Sequence, residues 1–352
     1  MGQWQTRSVL YWGLMPLSWL YTGLVWLRRR AYQQQWLKQY HVLRPVIVIG
    51  NIFVGGTGKT PIVLALIQDL QWRGKKPGLI SRGYGSSRRA DGRPLVAQIS
   101  SEQSSIDPQS FGDEPALIAH LTGIPIAVHH RRAKAAQALL QAHPEVDILI
   151  CDDGLQHLAL ARDVEILVQD ERNVGNGLTF PAGPLREPIS RLETVDAVLT
   201  RSHVFNQIKS TASHIKPYRT QFAVKIQHFQ ALHQPNKTLT PESFVDMIKL
   251  HPNQSLCAMA AIGFPERFFS ELKNLGLKLN QTIALPDHAD IHESDFQRIK
   301  ASEIVITAKD AVKLKHLSDQ RIWVAHTHLT WQDSNFTEWL LTQFSPQTPT
   351  TK

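Results

Sequence analysis

A glycine-rich turn between a short apolar run and a helical pattern constrains this chain more than any other stretch. Residues 46–49 read VIVI, which is typical of a buried strand in a parallel sheet. The turn GNIFVGGTGKT occupies residues 50–60, and Ile62, Leu66 and Leu70 then recur at helical spacing. A strand, a glycine loop that ends in Lys-Thr and a helix together predict a phosphate-binding loop.

The residue types of this turn suit an anionic phosphate. Glycines let backbone N–H groups approach the phosphate, and the following helix offers unpaired N–H groups and the positive end of its dipole. Lys59 would reach the β- and γ-phosphates of ATP, and the Thr60 hydroxyl would hold Mg²⁺. We therefore predict that the nucleotide contacts Phe53, Val54, Gly55, Gly56, Thr57, Gly58, Lys59 and Thr60.

One position departs from the common form of this loop. Phe53 stands five residues before Gly58, where a glycine is usual. The alternative interpretation is a glycine-rich turn that carries a Lys-Thr pair by chance.

Composition narrows the class of protein. The 352 residues suffice for two domains or one large α/β unit. Cys151 and Cys257 lie too far apart along the chain to indicate a disulfide framework, and no Cys/His cluster has zinc-site spacing. The net charge of +8 is uneven, because residues 1–68 contain no acidic residue. Such a basic region can bind nucleic acid or anionic lipid.

The neighbours of this basic charge favour a membrane. Residues 9–27 read VLYWGLMPLSWLYTGLVWL without a charge and are followed by three arginines. As a helix they would extend roughly 28 Å, at about 1.5 Å per residue. We predict a membrane-associated helix, with a signal peptide and a buried core helix as alternatives. Pro16 leaves open whether the helix spans the bilayer or lies in one leaflet, and the arginines place the following residues on the cytoplasmic side.

The rest of the chain reads as α/β throughout. Residues 45–200 alternate strand and helix patterns, which predicts a parallel sheet. The predicted strands are 46–49, 77–80, 124–128, 146–151, 164–168 and 195–199, and the predicted helices are 60–73, 113–122 and 130–142. Residues 81–112 read as a polar loop. We predict a membrane-associated segment at 1–44, a phosphate-loop domain at 45–205, a smaller α/β domain at 206–345 and a disordered tail at 346–352.

Within the smaller domain the pattern is weaker. The predicted strands are 218–228, 256–262, 304–307 and 322–325, with helices from Pro265 and over 309–317. Residues 232–254 read as a polar connection.

Candidate functional carboxylates lie at three places in the sequence. Asp152 and Asp153 end an apolar strand, and at the ligand-binding edge of a phosphate-loop sheet they would assist Mg²⁺ binding. A common turn is the alternative for them. Asp113 opens a predicted helix, where it is either a helix cap or a functional carboxylate. Asp287 and His288, in the sequence PDH, form either a turn or a catalytic pair.

Loop arginines are candidate contacts for a phosphorylated substrate. Arg82 and Tyr84 lie in SRGYG at the same sheet edge, and the Gly/Pro-rich loop 172–191 contains Arg186 and Arg191. A simple turn and solvated arginines are the alternatives at these two places.

Taken together, these motifs resemble one known family, the tetraacyldisaccharide 4'-kinases of lipid A biosynthesis. The matching stretches, in family order, are GNIFVGGTGKTP (50–61), SRGYG (81–85), GDEP (112–115), CDDGLQH (151–157), PAGPLREP (181–188), PDH (286–288) and TAKDAVK (307–313). Each stretch is modest alone, whereas their combination is specific. The family also accepts a residue other than glycine at the position of Phe53.

The resemblance implies a lipid kinase that uses ATP and Mg²⁺. Its substrate would be tetraacyldisaccharide 1-phosphate, phosphorylated at the 4'-hydroxyl, and its location the cytoplasmic face of the inner membrane. The implied fold has two α/β/α domains with the site in the cleft between them, and an N-terminal helix at the membrane.

The resemblance also implies roles for single residues. Asp113 would be the base towards the sugar hydroxyl, and His288 its partner from the second domain. Lys59 would act on the phosphates, while Asp152 and Asp153 would assist Mg²⁺. This chain has Ala289 where the family often carries a second histidine, which weakens any role for that position.

The competing interpretation is a membrane-associated nucleotide-switch ATPase of the partitioning or targeting type. Its phosphate loop resembles this one, but it does not need a second domain with PDH and TAKDAVK. A nucleic-acid partner is not predicted, because the basic charge lies beside an apolar aromatic run. No protein partner can be inferred from the sequence.

Overall fold

The computed structural model describes residues 9–55, 58–83, 92–98, 106–202, 205, 217–250, 255–287, 289, 291–314, 317 and 319–344. Four predicted site residues, Gly56, Thr57, Tyr84 and His288, lie outside these ranges, and so does the predicted tail at 346–352.

Strands and helices alternate over most of the described chain. The strands are β1 (Val46–Gly50), β2 (Pro77–Ser81), β3 (Leu95–Ala97), β4 (Ile126–Val128), β5 (Ile148–Asp152), β6 (Val164–Gln169), β7 (Ala197–Arg201), β8 (Tyr218–Ala231), β9 (Gln234–Leu239), β10 (Leu256–Ala260), β11 (Gln281–Ala284), β12 (Glu303–Thr307) and β13 (Ile322–Trp331). The helices are α1 (Val9–Gln33), α2 (Thr60–Trp72), α3 (Pro108–Phe111), α4 (Asp113–Thr122), α5 (Arg132–Ala142), α6 (Pro241–Leu250), α7 (Pro265–Asn274), α8 (Glu293–Gln297), α9 (Ala308–Ala311) and α10 (Phe336–Thr342).

The N-terminal half is a parallel sheet covered on both faces. Its strand order is β7-β6-β1-β5-β2-β4-β3, with β3 antiparallel at the edge. Ile47 and Ile49 of β1 pack with α2 and α4, whereas Val46 and Val48 pack with α5 on the other face. Consecutive β-branched residues are buried here because helices cover both faces of the sheet. The predicted parallel sheet is therefore confirmed.

A long strand joins the two halves of the molecule into one sheet. Tyr218–Phe222 of β8 pairs in parallel with β7, and the rest of β8 pairs antiparallel with β13. Beyond β13 the order continues β12-β10-β11, all parallel, over two smaller apolar clusters. The mixed α/β architecture matches the prediction, while the domain boundaries themselves stay a prediction.

The chain returns to the first half at its C-terminal end. Phe336 and Leu340 of α10 belong to the same apolar cluster as the helix after the phosphate loop. Asp69 of that helix accepts hydrogen bonds from Trp331 Nε1 at 3.3 Å and from Thr337 Oγ1 at 2.8 Å. The second half is thus attached to the first both through β8 and through α10.

Several local predictions were wrong. Residues 232–254 contain β9 and α6 rather than a connection, because the exposed, polar β9 is defined by its pairing with β8 and not by side-chain alternation. The loop predicted at 81–112 contains β3 and α3, which are too short to show a period. The helix predicted over 309–317 is the four-residue α9.

Helix α1 packs on the first half through polar groups. Buried Ser18 donates a hydrogen bond to Thr179 O at 2.7 Å, and the hydroxyls of Thr22 and Thr179 lie 2.7 Å apart. Tyr21 donates to Arg186 O at 3.0 Å, so the helix contacts the Gly/Pro-rich loop 172–191 that contains Arg186. Among the helices that the structure describes, none has the length and apolar character needed to cross a bilayer.

Candidate active site

The phosphate loop connects the central strand β1 to α2. Gly55 and Gly58 have φ angles of 97° and 70°, which side chains other than glycine rarely adopt. Asn51 Nδ2 donates to Gly55 O at 3.1 Å and supports the start of the loop. Thr60 then begins α2, with Pro61 at a first-turn position where a missing N–H costs little. The described part of the loop therefore has the backbone form that phosphate binding requires.

Lys59 meets a carboxylate from the neighbouring strand. Its Nζ lies 3.0 Å from Asp153 Oδ1, and Arg186 Nη1 lies 3.5 Å from Asp153 Oδ2. Burial raises the pKa of Asp153, but Lys59 and then Arg186 outweigh burial and lower that pKa to about 2. Asp153 is therefore ionised at neutral pH and holds two cations beside the place where phosphates would bind.

Asp152 has the opposite environment. Burial, and next the charge of Glu114, raise the pKa of Asp152 to about 7, with Lys59 opposing them. Its Oδ1 is buried and makes no hydrogen bond within the described residues. A buried carboxylate oxygen without a hydrogen-bond partner in the described part of the chain suits Mg²⁺, which prefers oxygen ligands and takes one or two carboxylates besides phosphate and water. The residues present therefore fit this ion.

The first turn of α4 contacts the second half of the molecule. Asp113 Oδ2 lies 2.8 Å from Lys313 Nζ. Glu114 Oε1 lies 3.3 Å from Lys309 Nζ, and the same ammonium lies 3.2 Å from Asp287 Oδ1. Asp113 is thus placed at the boundary between the two halves, next to the PDH loop.

Two arginines lie over the phosphate loop. A Cβ built on Gly58 would be 3.4 Å from Arg201 Nη1 and 3.7 Å from Arg267 Nη1. Arg267 Nη2 pairs with Glu171 at 2.6 Å and with Asp170 at 3.3 Å. Burial, and next the charge of Arg267, lower the pKa of Arg201. Two neighbouring cations at the phosphate loop favour an anionic ligand.

The Gly/Pro-rich loop 172–191 uses its arginines in different ways. Arg186 reaches Asp153 and so belongs to the site. Arg191 is neither solvated nor at the site, since it is buried and pairs with Glu187 at 3.0 Å. Phe53 packs its ring under the Arg172 guanidinium, 4.2 Å from the ring centre, and Val54 N donates to Pro184 O at 2.7 Å. The loop therefore covers the entrance of the phosphate loop.

Arg82 follows β2, at the same edge of the sheet as the phosphate loop. It is exposed after β2, and its charge acts on His157, whose pKa is lowered to about 4 by burial and then by Arg132. Arg132 is buried and donates to the backbone oxygens of His129 and Asp152. Arg82 is thus near enough to the site for its charge to act on His157, whereas Arg186 contacts Asp153 directly.

A cavity of about 230 Å³ separates the two halves at this place. Gly58 and Thr60 line one wall, and Phe264, Arg267 and Lys309 line the other. The phosphate loop, the Glu114 carboxylate and the second-half cations Arg267 and Lys309 thus face a common cleft.

Known proteins share this arrangement of motifs and fold. The sequence profile of the LpxK family, tetraacyldisaccharide-1-P 4'-kinase, matches residues 10–345. The chain belongs to this family. The tetraacyldisaccharide 4'-kinase of Bordetella petrii is 46% identical over 338 residues, 96% of this chain and 92% of the relative. That of Dechloromonas aromatica is 41% identical over 318 residues, 90% of this chain and 88% of the relative.

A solved structure of the same family agrees with the fold. The crystal structure of LpxK from Aquifex aeolicus in complex with ATP has a TM-score of 0.73 and 25% identity, and the match covers 96% of this chain and all of that chain. The family resemblance and the phosphate-loop α/β fold predicted from the sequence are therefore confirmed.

Sequence reasoning placed some site residues and missed others. The structure joins Lys59, Asp153 and Arg186 by direct contacts, and Asp152 precedes Asp153 at the same strand end. Thr60 lines the cleft, and Asp113 pairs with Lys313 at the boundary between the halves, next to the cleft-lining Glu114. The charged residues that sequence reasoning missed are Glu114, Arg201, Arg267, Lys309 and Lys313. The spacing of the two lysines in TAKDAVK, four residues apart, was the available signal for a shared face.

The raised pKa of Asp152 predicts a pH effect on stability. The pKa of about 7 in the folded protein exceeds the ordinary aspartate value of 3.8, so the folded protein binds the proton more tightly than the unfolded chain. The stabilisation that this bound proton gives is complete below the pKa of the unfolded chain, and it is lost as the pH rises through the folded pKa of about 7. Without nucleotide or Mg²⁺, Asp152→Asn should exceed wild type in unfolding free energy at pH 8 by up to about 4 kcal/mol, and by less at pH 5.

Urea unfolding at both pH values measures this difference, with the exposed Asp246→Asn as a matched control. Parallel pH profiles for wild type and Asp152→Asn would contradict the assignment of this proton.

Proposed function

We propose that the protein transfers the γ-phosphate of ATP to the 4'-hydroxyl of tetraacyldisaccharide 1-phosphate, in lipid A biosynthesis. The observation that supports this best is that the phosphate loop and the first turn of α4 approach the second half at one cleft, which Glu114 lines and beside which Asp113 pairs with Lys313, in a chain of the tetraacyldisaccharide-1-P 4'-kinase family. The Aquifex aeolicus relative whose fold this chain shares binds ATP.

Lys59 and the loop amides bind the nucleotide phosphates. Phosphoryl transfer depends mainly on positioning and on charge neutralisation, which the loop N–H groups and the Lys59 ammonium supply. Asp153 holds that ammonium in place from the neighbouring strand. Arg201 and Arg267, beside Gly58, add positive charge on the open side of the loop.

Thr60 and Asp152 are the proposed ligands of Mg²⁺, with Asp153 beside them. Bound Mg²⁺ neutralises charge on the phosphates. Asp152 must lose its proton for this role, and burial favours the protonated form until a cation arrives.

Asp113 is the proposed base at the acceptor end. The 4'-oxygen forms a bond to the γ-phosphorus, the bond to the β-phosphate oxygen breaks, ADP leaves, and the hydroxyl proton passes to the Asp113 carboxylate. His288 is proposed as its partner on the strength of the family resemblance alone, because that residue lies outside the described part of the chain.

The sugar head group carries a phosphate and therefore needs cations. Arg186 and Arg82 are proposed to contact it, together with Tyr84, which lies outside the described residues. Arg186 is already close to Asp153, so this contact would place the acceptor near the phosphate loop.

Helix α1 is proposed to hold the protein at a membrane surface, on the cytoplasmic face of the inner membrane. Its apolar side chains Trp12, Leu17, Trp19, Leu20, Leu24, Trp26 and Leu27 are each at least half exposed. Its polar side chains Ser18, Tyr21 and Thr22 instead form hydrogen bonds with the loop that contains Arg186. A helix with its apolar side outward and arginines at its end suits lipid and anionic head groups.

A nucleotide-switch ATPase is not favoured. Such a protein uses ATP to change partners and needs no acceptor base, whereas this chain matches the kinase family from residue 10 to residue 345.

The direct test is transfer of labelled γ-phosphate from Mg²⁺-ATP to tetraacyldisaccharide 1-phosphate in detergent micelles. Wild type should label the lipid, and Asp113→Ala should lower the rate by about 10²–10⁴-fold, the usual contribution of a general base. The exposed Asp246→Ala serves as the matched control and should keep the wild-type rate. Label found in free phosphate regardless of the lipid would favour the ATPase. Asp113 would then have only a structural role at the start of α4.

The role of α1 is tested by sedimentation with phosphatidylethanolamine–phosphatidylglycerol vesicles. Replacing Trp19, Leu20 and Leu24 together by serine should lower vesicle binding by about tenfold or more, because each loses apolar contact with lipid. Trp72→Ser removes a still more exposed aromatic side chain, from the C-terminal end of α2, and should leave binding unchanged. Equal binding of the triple variant and wild type would exclude α1 as the anchor.

A further inference from the structure

The TAKDAVK motif at 307–313 has no role in the reaction described so far. In the structure it forms a compact capped turn. Thr307 Oγ1 donates to Asp310 Oδ2 at 2.7 Å and accepts from Asp310 N at 3.2 Å. The fully buried Asp310 also accepts from Ala261 N at 3.2 Å, which ties the motif to the end of β10. The motif is therefore a rigid base for the side chains it presents.

Lys313 extends from this base to the predicted catalytic carboxylate. Its Nζ lies 2.8 Å from Asp113 Oδ2 and donates to Ala289 O at 3.0 Å. The two charged side chains are only 11% and 12% exposed, so water screens their interaction weakly. One ammonium group thus joins the start of α4 to the loop that contains the PDH sequence.

Lys309 makes a second connection of the same kind. It contacts Glu114 and Asp287 at 3.3 Å and 3.2 Å. Burial alone lowers the pKa of Lys309, but Glu114 and then Asp287 outweigh burial and raise it. Lys309 therefore stays charged, and it fixes the turn of α4 beside the contact of Lys313.

We propose that Lys313 is a positioning residue for phosphoryl transfer. It holds the Asp113 carboxylate through Oδ2, in a fixed direction, when the second half lies against α4. This inference rests on the proposed function and deepens it, because it makes the second half supply the orientation of the base.

The physical reason is that a carboxylate acting as a base must keep a fixed direction towards the acceptor hydroxyl. A cation within hydrogen-bond distance favours the ionised form of a carboxylate, and it also restricts rotation of the group. An acceptor hydroxyl needs this group at a fixed distance, since a displacement of about 1 Å can cost roughly 10²-fold in rate. Lys313 is in turn anchored by its own backbone N–H, which donates to Asp310 O at 3.1 Å, and by its ammonium, which donates to Ala289 O.

Steady-state kinetics of Lys313→Met, Lys313→Arg and wild type test the proposal in the micelle assay. Lys313→Met should lower kcat by about 10- to 100-fold and leave the KM values for ATP and lipid within about threefold, because positioning acts on the transition state. Lys313→Arg keeps the charge and should recover a large part of kcat. Lys300→Met removes an exposed lysine from the same half and should behave as wild type.

The binding of an ATP analogue, measured by calorimetry, separates loss of positioning from loss of folding. Lys313→Met should bind it as wild type does. A wild-type kcat for Lys313→Met, or no difference between Lys313→Arg and Lys313→Met, would overturn this inference and leave the proposed function unaffected. Absence of lipid phosphorylation by wild type would overturn the proposed function, and the inference with it.

Discussion

The ion pair between Lys59 and Asp153 is the contact on which the nucleotide site depends. It exists because β1 and β5 are neighbours in a parallel sheet, so the phosphate loop and the Asp152-Asp153 pair leave the sheet at the same edge. The same edge gives the two aspartates different chemistry. Asp153 gains two cations and has a lowered pKa, whereas buried Asp152 has a raised pKa and a carboxylate oxygen suited to a metal ion. Burial and neighbouring charge thus give the adjacent residues Asp152 and Asp153 opposite pKa shifts and different roles.

The second constraint is the boundary between the halves. Asp113 and Glu114 begin α4, and lysines from the other side of the cleft meet both carboxylates. The continuous strand β8 and the returning helix α10 fix the halves to each other at two other places. Closing the cleft over the acceptor would complete the site and exclude water. Exclusion of water is how a kinase limits hydrolysis of ATP in place of transfer.

The sequence predicted the parts of this account that depend on local pattern. Val46–Gly50, the glycine loop and Lys59 follow from period and turn chemistry, and Asp152 follows from its place after a strand. Side-chain partners across long separations could not be predicted, since Lys313 and Asp113 are 200 residues apart along the chain. Arg191 was misjudged for the same reason: its partners Glu165 and Glu187 are fixed by tertiary packing.

The measurement closest to the central claim is the amount of ADP formed per phosphorylated lipid in one reaction. A site completed by both halves around a lipid acceptor predicts a ratio near one, and ADP formation without lipid should fall to roughly a hundredth of the full rate or less. Rapid ADP formation that is indifferent to the lipid would contradict the account, because the acceptor would then have no part in assembling the site.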